Sequence, residues 1–236
     1  MIRTTIKPVS LSVVADTDSF TWSNQYGGLW ETASNWYDTT VGSPVIAAPG
    51  AASTVSITGG IGDNFTNIAG TGATAQLSIA NEVLLWGTVA VGGSLTLLPA
   101  SGVKGAATDL DLDGGANLTA VSLNMGVGSS LVVGGTSTLK VSGTATLAGG
   151  FLLATNASTV QFGGLIANGF AGSYGLNYGT IAVDDNASLE IGTAGGAAAG
   201  AITIDRGQSV AICGTIDGNL VLNGTLSVQA GSSLEP

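Results

Sequence analysis

The chain has 236 residues, of which 44% are hydrophobic and only 8% charged, with 15 acids against 5 bases for a net charge of −10 and no histidine. An ordinary soluble domain carries roughly 25% charged residues, so this surface must be covered mainly by Ser, Thr, Asn, Gly and Ala. The absence of histidine removes His-based triads and the usual zinc sites, and the five scattered bases give no footprint for nucleic acid or an anionic membrane.

Residues 1–19 read as an N-terminal arm. Arg3 and Lys7 precede Val9–Ala15, but that apolar stretch is short and broken by two serines, so it does not make a convincing secretion signal. The expectation is a cytoplasmic protein, with a cell-surface or extracellular location as the alternative. No run approaches the roughly 18 apolar residues of a membrane span.

Residues 20–60 concentrate aromatic side chains: Phe20, Trp22, Tyr26, Trp30, Trp36 and Tyr37 are here, with Pro44 and Pro49. Large aromatic area closes a core that strand edges would leave open, so this block is expected to cap one end of the fold. Stacking of Trp22, Trp30 and Trp36 on sugar rings is the rival use of the same residues.

From about residue 75 to the C-terminus one register recurs. Two apolar residues flank a single residue, and Gly, Asn, Asp or Ser follows, as in Leu77/Ile79, Leu95/Leu97, Leu110/Leu112, Leu139/Val141, Val160/Phe162 and Leu226/Val228. Positions i and i+2 of a strand share a face, so each pair is a minimal inward-facing strand. The gaps are too short for helices, and no segment has the 3.6-residue apolar period. Residues 61–236 are therefore predicted to form a β-solenoid, about three short strands to a turn of roughly 20–25 residues. A barrel or sandwich is the rival, but those need longer strands than several of these units supply.

The segment Phe20-Thr-Trp22-Ser-Asn-Gln-Tyr-Gly-Gly-Leu-Trp30-Glu-Thr-Ala-Ser-Asn-Trp36, followed by Pro49-Gly50 and Val55-Ser-Ile57, resembles the opening of bacterial β-strand-repeat proteins, including many autotransporter passenger regions. The resemblance covers about 40 residues closely and the rest only in style. It implies an all-β fold, a single right-handed parallel β-helix, and a surface, adhesive or structural role. The chain lacks the long alternating strands of a C-terminal outer-membrane barrel that many such proteins carry.

Candidate chemistry is sparse. Asp109-Leu-Asp111-Leu-Asp113-Gly114 copies the first half of a calcium loop, but Ala120 stands where a bidentate Glu is required. As a strand, it would put the three aspartates on one outward face, solvated or weakly cation-binding. Gly59–Asn64 approaches the calcium-binding nonapeptide of β-rolls in a single copy. Asp184 and Asp185 with Glu190, or Asp111 with Asp113, imitate paired glycosidase carboxylates without the basic residues that acidic-polysaccharide enzymes use. Cys213 lies in an apolar strand and reads as a buried thiol. No enzyme activity and no cofactor are expected.

The ends of the coil then become the surface of interest. The last strand pairs, with Leu226, Val228 and Leu234, have only Glu235 and Pro236 as edge blockers. The leading expectation is a structural protein that stacks head-to-tail into cytoskeleton-like filaments, through these residues at one end and Trp22, Trp30 and Trp36 at the other. The alternative is an adhesin-like surface module binding carbohydrate or protein, at Trp30, Trp36 or the Gly163–Tyr178 stretch.

Overall fold

A computed structural model describes residues 17–24, 26–58, 66–99, 108–148, 150–168, 180–183, 188–191, 201–204, 209–212, 215–217, 219–222, 225–228 and 233–235. It is all-β, a β-solenoid of parallel strands, and among the described residues the one helical element is the 3-10 turn Ala33–Asn35. The Gly59–Asn64 segment, Asp184, Asp185, Cys213 and residues 169–178 of the Gly163–Tyr178 stretch lie outside the described residues.

Three parallel ladders make the coil. The first runs from Thr54–Ile57 through Gln76–Ile79, Ser94–Leu97 and Ser122–Met125, then along the second half of Thr138–Ala148 and of Thr159–Asn168, to Ala201–Ile204 and Asn219–Leu222. The second runs from Thr66–Ala69 through Val83–Leu85, Thr108–Leu112, Ser129–Val133 and Phe151–Ala154 to Thr180–Val183, Ser209–Ile212 and Thr225–Val228. The third joins Thr71–Thr74, Thr88–Val91 and Asn117–Ala120 to the first halves of the two long strands, then to Ser188–Ile191, Thr215–Asp217 and Ser233–Glu235.

Each chain segment thus visits the three ladders in turn. The alternation of side chains puts one apolar pair per strand inside. Val55 stacks on Leu77, Leu77 on Leu95 and Leu95 on Leu123, all buried, while the residue between each pair faces out. Burying one such aliphatic side chain contributes about 1.5–3 kcal/mol, so the stack and not any single contact holds the coil.

The corners use distinct chemistry. Gly114/Gly115, Gly135/Thr136 and Asn156/Ala157 all have positive φ at both positions, the signature of type I′ turns. Each closes its turn, with Ala116 N donating to Asp113 O, Ser137 N to Gly134 O and Ser158 N to Thr155 O. The turns also bond to one another, Gly115 N donating to Gly135 O at 3.0 Å and Thr136 N to Asn156 O at 3.3 Å. Just inside this corner the buried Ser137 hydroxyl accepts from Ala116 N, and the buried Ser158 hydroxyl donates to Val133 O. These bonds satisfy backbone groups that a bend would otherwise strand in the core.

Where the long strands pass from the third ladder to the first there is no loop at all. The register slips between Val141 and Thr144, so that Ser142 and Gly143 oppose Gly163 alone. A Cβ on Gly163 would strike the carbonyl of Ser142, which is why glycine occupies the bend.

Candidate functional site

The aromatic block closes the proximal end of all three ladders. Ser19–Trp22 extends the first ladder in parallel on Thr54–Ile57, and Trp36–Asp38 then pairs with it antiparallel. The two-residue strand Ser43–Pro44 finishes that edge, again antiparallel, with a proline that has no N–H to offer. On the second ladder Gly28–Leu29 covers Thr66–Ala69. On the third, the Glu31 carboxylate accepts from Thr71 N at 2.6 Å, and the indole of Trp30 lies where a side chain on Gly72 would stand.

The three tryptophans form one plug. Trp36 meets Trp22 and Trp30 edge-on, each at a centroid separation of 4.7 Å, and its Nε1 donates to Trp30 O at 2.7 Å. Trp30 lines a small apolar void of about 10 Å³ with Ile57, Ile68, Leu77 and the leucines below, and its own Nε1 has no hydrogen-bond partner. Asn35, also buried, donates to Leu29 O and accepts from Asn24 Nδ2, pinning the chain around the plug.

This placement corrects the use of Trp22, Trp30 and Trp36 as contact residues for another chain or for sugars. They are 1–3% exposed and engaged with their own core. The outward apolar residues of the cap are instead Tyr26, Leu29, Tyr37, Val41 and Ile46, from 37% exposed at Tyr37 to 101% at Ile46. At the other end, Leu226 and Val228 lie in the strand paired with Ser209–Ile212, and Leu234 in the strand paired with Thr215–Asp217. Among the described residues no strand pairs the far edge of either.

Asp109 and Asp111 point outward from Thr108–Leu112, with Asp113 just beyond it, while Leu110 and Leu112 point in. Asp111 sits in register between Leu84 and Val132, so its carboxylate stands between apolar neighbours. Burial, reinforced by the charges of Asp109, Asp113 and Glu82, pushes its pKa up to about 6. Burial also raises Asp109, partly offset by a hydrogen bond with Ser130. The row is extended along a strand and does not converge: among the described residues no three His, Cys, Asp or Glu side chains are grouped to hold a metal ion.

Trp86 escaped the sequence reading. It follows the second-ladder strand Val83–Leu85, is 49% exposed, and rests its ring on Gly114 in the next turn. The Trp86-Gly87 step was its signal, a large aromatic placed at a corner where the inward pair has already ended. Among the described residues no helix is long and apolar enough to cross a membrane.

Set against protein-family models, curated proteins and solved structures, the chain matches none.

Proposed function

We propose that this is a structural protein, a β-solenoid rod that associates with further copies of itself end to end. The observation that carries the reading is the coil itself: three parallel ladders run in register from the cap to the strands 219–222, 225–228 and 233–235, each rung templating the next. The N–H and C=O groups of such a rung can template a strand of another copy in the same way. Seating the cap of one copy, by its Tyr37, Val41 and Ile46 surface, on the distal edge of another is a heterologous contact that does not close, and it builds a filament. The sparse charge removes much of the repulsion that would oppose it. On this reading the filament is cytoplasmic and the chain is not an enzyme. Negative-stain electron microscopy of the purified chain tests it, with rods longer than one chain expected.

The resemblance of residues 20–57 to bacterial β-strand-repeat proteins, together with the half-exposed Trp86, favours a second reading, a module displayed at the cell surface that binds carbohydrate or protein. Intact N-terminal mass and cell fractionation separate the two. Processing near Ala15 and a surface location support the second reading and count against the first.

A further inference from the structure

The outward side of the first ladder is uncharged in both of its columns from the cap to Thr146. One column of outward residues reads Thr21, Ser56, Ser78, Thr96, Asn124 and Thr146, each in register with the next. Two residues back along each strand a second column reads Ser19, Thr54, Gln76, Ser94 and Ser122. None of these is buried. Within the second column two neighbouring ranks are tied by Ser94 Oγ donating to Gln76 Oε1 at 2.6 Å.

The parallel ladder fixes the repeats of this array. Ranks lie ~4.8 Å apart, and columns two residues apart along a strand lie ~6.7 Å apart. Every group in it is an uncharged donor and acceptor, able to hold water on both sides of the exchange. The other two faces carry charge: the second has Asp109, Asp111, Leu84 and Val132 outward, and the third sets a column of Thr71, Thr88, Asn117, Thr138 and Thr159 beside one that holds Lys140, with Glu190 in the same register.

We infer that the outward face of the first ladder is an ice-binding surface, its two columns of hydroxyl and amide groups ordering a sheet of water that continues into an ice lattice. Three features select this occupant. The array repeats in two directions at distances close to the oxygen repeats of an ice prism plane. It has no charge to hold a competing hydration shell. Tyr37 stands in register with Thr21 at the cap end, but the ranks from Ser56 to Thr146 hold no aromatic ring on which a sugar could stack, which disfavours a crystalline polysaccharide. A second copy fits poorly, because six ranks by two columns span about 30 Å by 10–14 Å, roughly half the ~800 Å² per partner of a stable protein interface. An ice front sets no such limit.

The test uses the full chain in a slowly grown ice hemisphere and in an ice-recrystallisation assay. The protein is expected to enrich several-fold in the ice fraction over a control protein of similar size and charge, and to hold ice grains small. The double variant Ser78→Lys/Thr96→Lys is expected to fall to the control level while its circular dichroism stays that of the parent, since both positions face outward and leave the inward pairs untouched. Thr138→Lys, on the third face, is expected to retain ice enrichment. The inference is overturned if the parent chain is excluded from ice, if the double variant partitions as the parent does, if Thr138→Lys loses enrichment equally, or if the first-face variants abolish binding to an insoluble polysaccharide while ice enrichment is untouched.

Discussion

The ring of Trp86 lies against Gly114, so closely that a Cβ on Gly114 would stand 2.6 Å from Cε3 and 2.8 Å from Cζ3. Gly114 also has φ +62°, a conformation that costs a non-glycine residue about 1–2 kcal/mol. Two independent reasons thus hold a glycine at the corner, one from its own backbone and one from a side chain a full turn away.

Gly114→Ala should therefore destabilise the protein by about 2–4 kcal/mol, the sum of backbone strain and displacement of the indole. Adding Trp86→Ala to Gly114→Ala should restore part of that loss, because only the steric half involves the ring. Chemical denaturation of Gly114→Ala, Trp86→Ala and the double variant measures this; costs that simply add would show that the ring contact contributes nothing.

Ala157 marks the opposite case. It sits at φ +59° in the third of the stacked type I′ turns, a conformation that glycine adopts without steric cost. Ala157→Gly should raise stability by about 0.5–1 kcal/mol, relief of strain outweighing the added freedom of the unfolded chain. A lower denaturation midpoint for the glycine variant would contradict the turn assignment.

These corners also show what the sequence made legible. The i, i+2 apolar pairs read from Leu77/Ile79 onward all fall within strands, because one buried face forces a strict period of two. The strands that were missed break that signal for identifiable reasons. Val83-Leu84-Leu85 is apolar on both faces, and Leu123/Met125, Ala145/Leu147 and Leu152/Ala154 pair a strong aliphatic with a weaker marker. The burial of the tryptophans was legible as a cap, but the antiparallel return of Trp36–Asp38 onto Ser19–Trp22 was not, since pairing direction depends on a fold-back that no local pattern encodes. The hydroxyl face lay in the residues between the apolar pairs, where each Ser or Thr alone reads as ordinary solvent-facing filler.

Asp111 makes stability depend on pH. Its folded pKa of about 6 lies above the ordinary 3.8, so the folded state binds more protons between those values. Stability is thus highest below pH 3.8 as far as this group is concerned, and declines as pH rises through the window to about 6. The half-exposed position limits the effect to about 1 kcal/mol. Asp111→Asn should stabilise the protein by about that amount at pH 7 and flatten the slope between pH 4 and 6; an unchanged slope would place the titrating group elsewhere.

The cap should fail as a unit. Trp36→Ala removes a fully buried indole that touches both Trp22 and Trp30, and should cost about 3–5 kcal/mol. Trp36→Phe keeps most of the packing and deletes the Nε1 bond to Trp30 O, costing about 1 kcal/mol in addition to the smaller volume. Hydrogen exchange should locate the Trp36→Ala loss in the strands 19–22, 36–38 and 54–57. Uniform loosening along the whole coil would argue against a separate proximal plug.

Electron microscopy of the purified chain over a range of protein concentrations tests the central claim most directly. The account predicts unbranched rods whose length grows with concentration beyond a single coil, and whose diffraction or averaged images show the ~4.8 Å spacing of strands perpendicular to the rod axis. Single short particles of constant length at every concentration would contradict it.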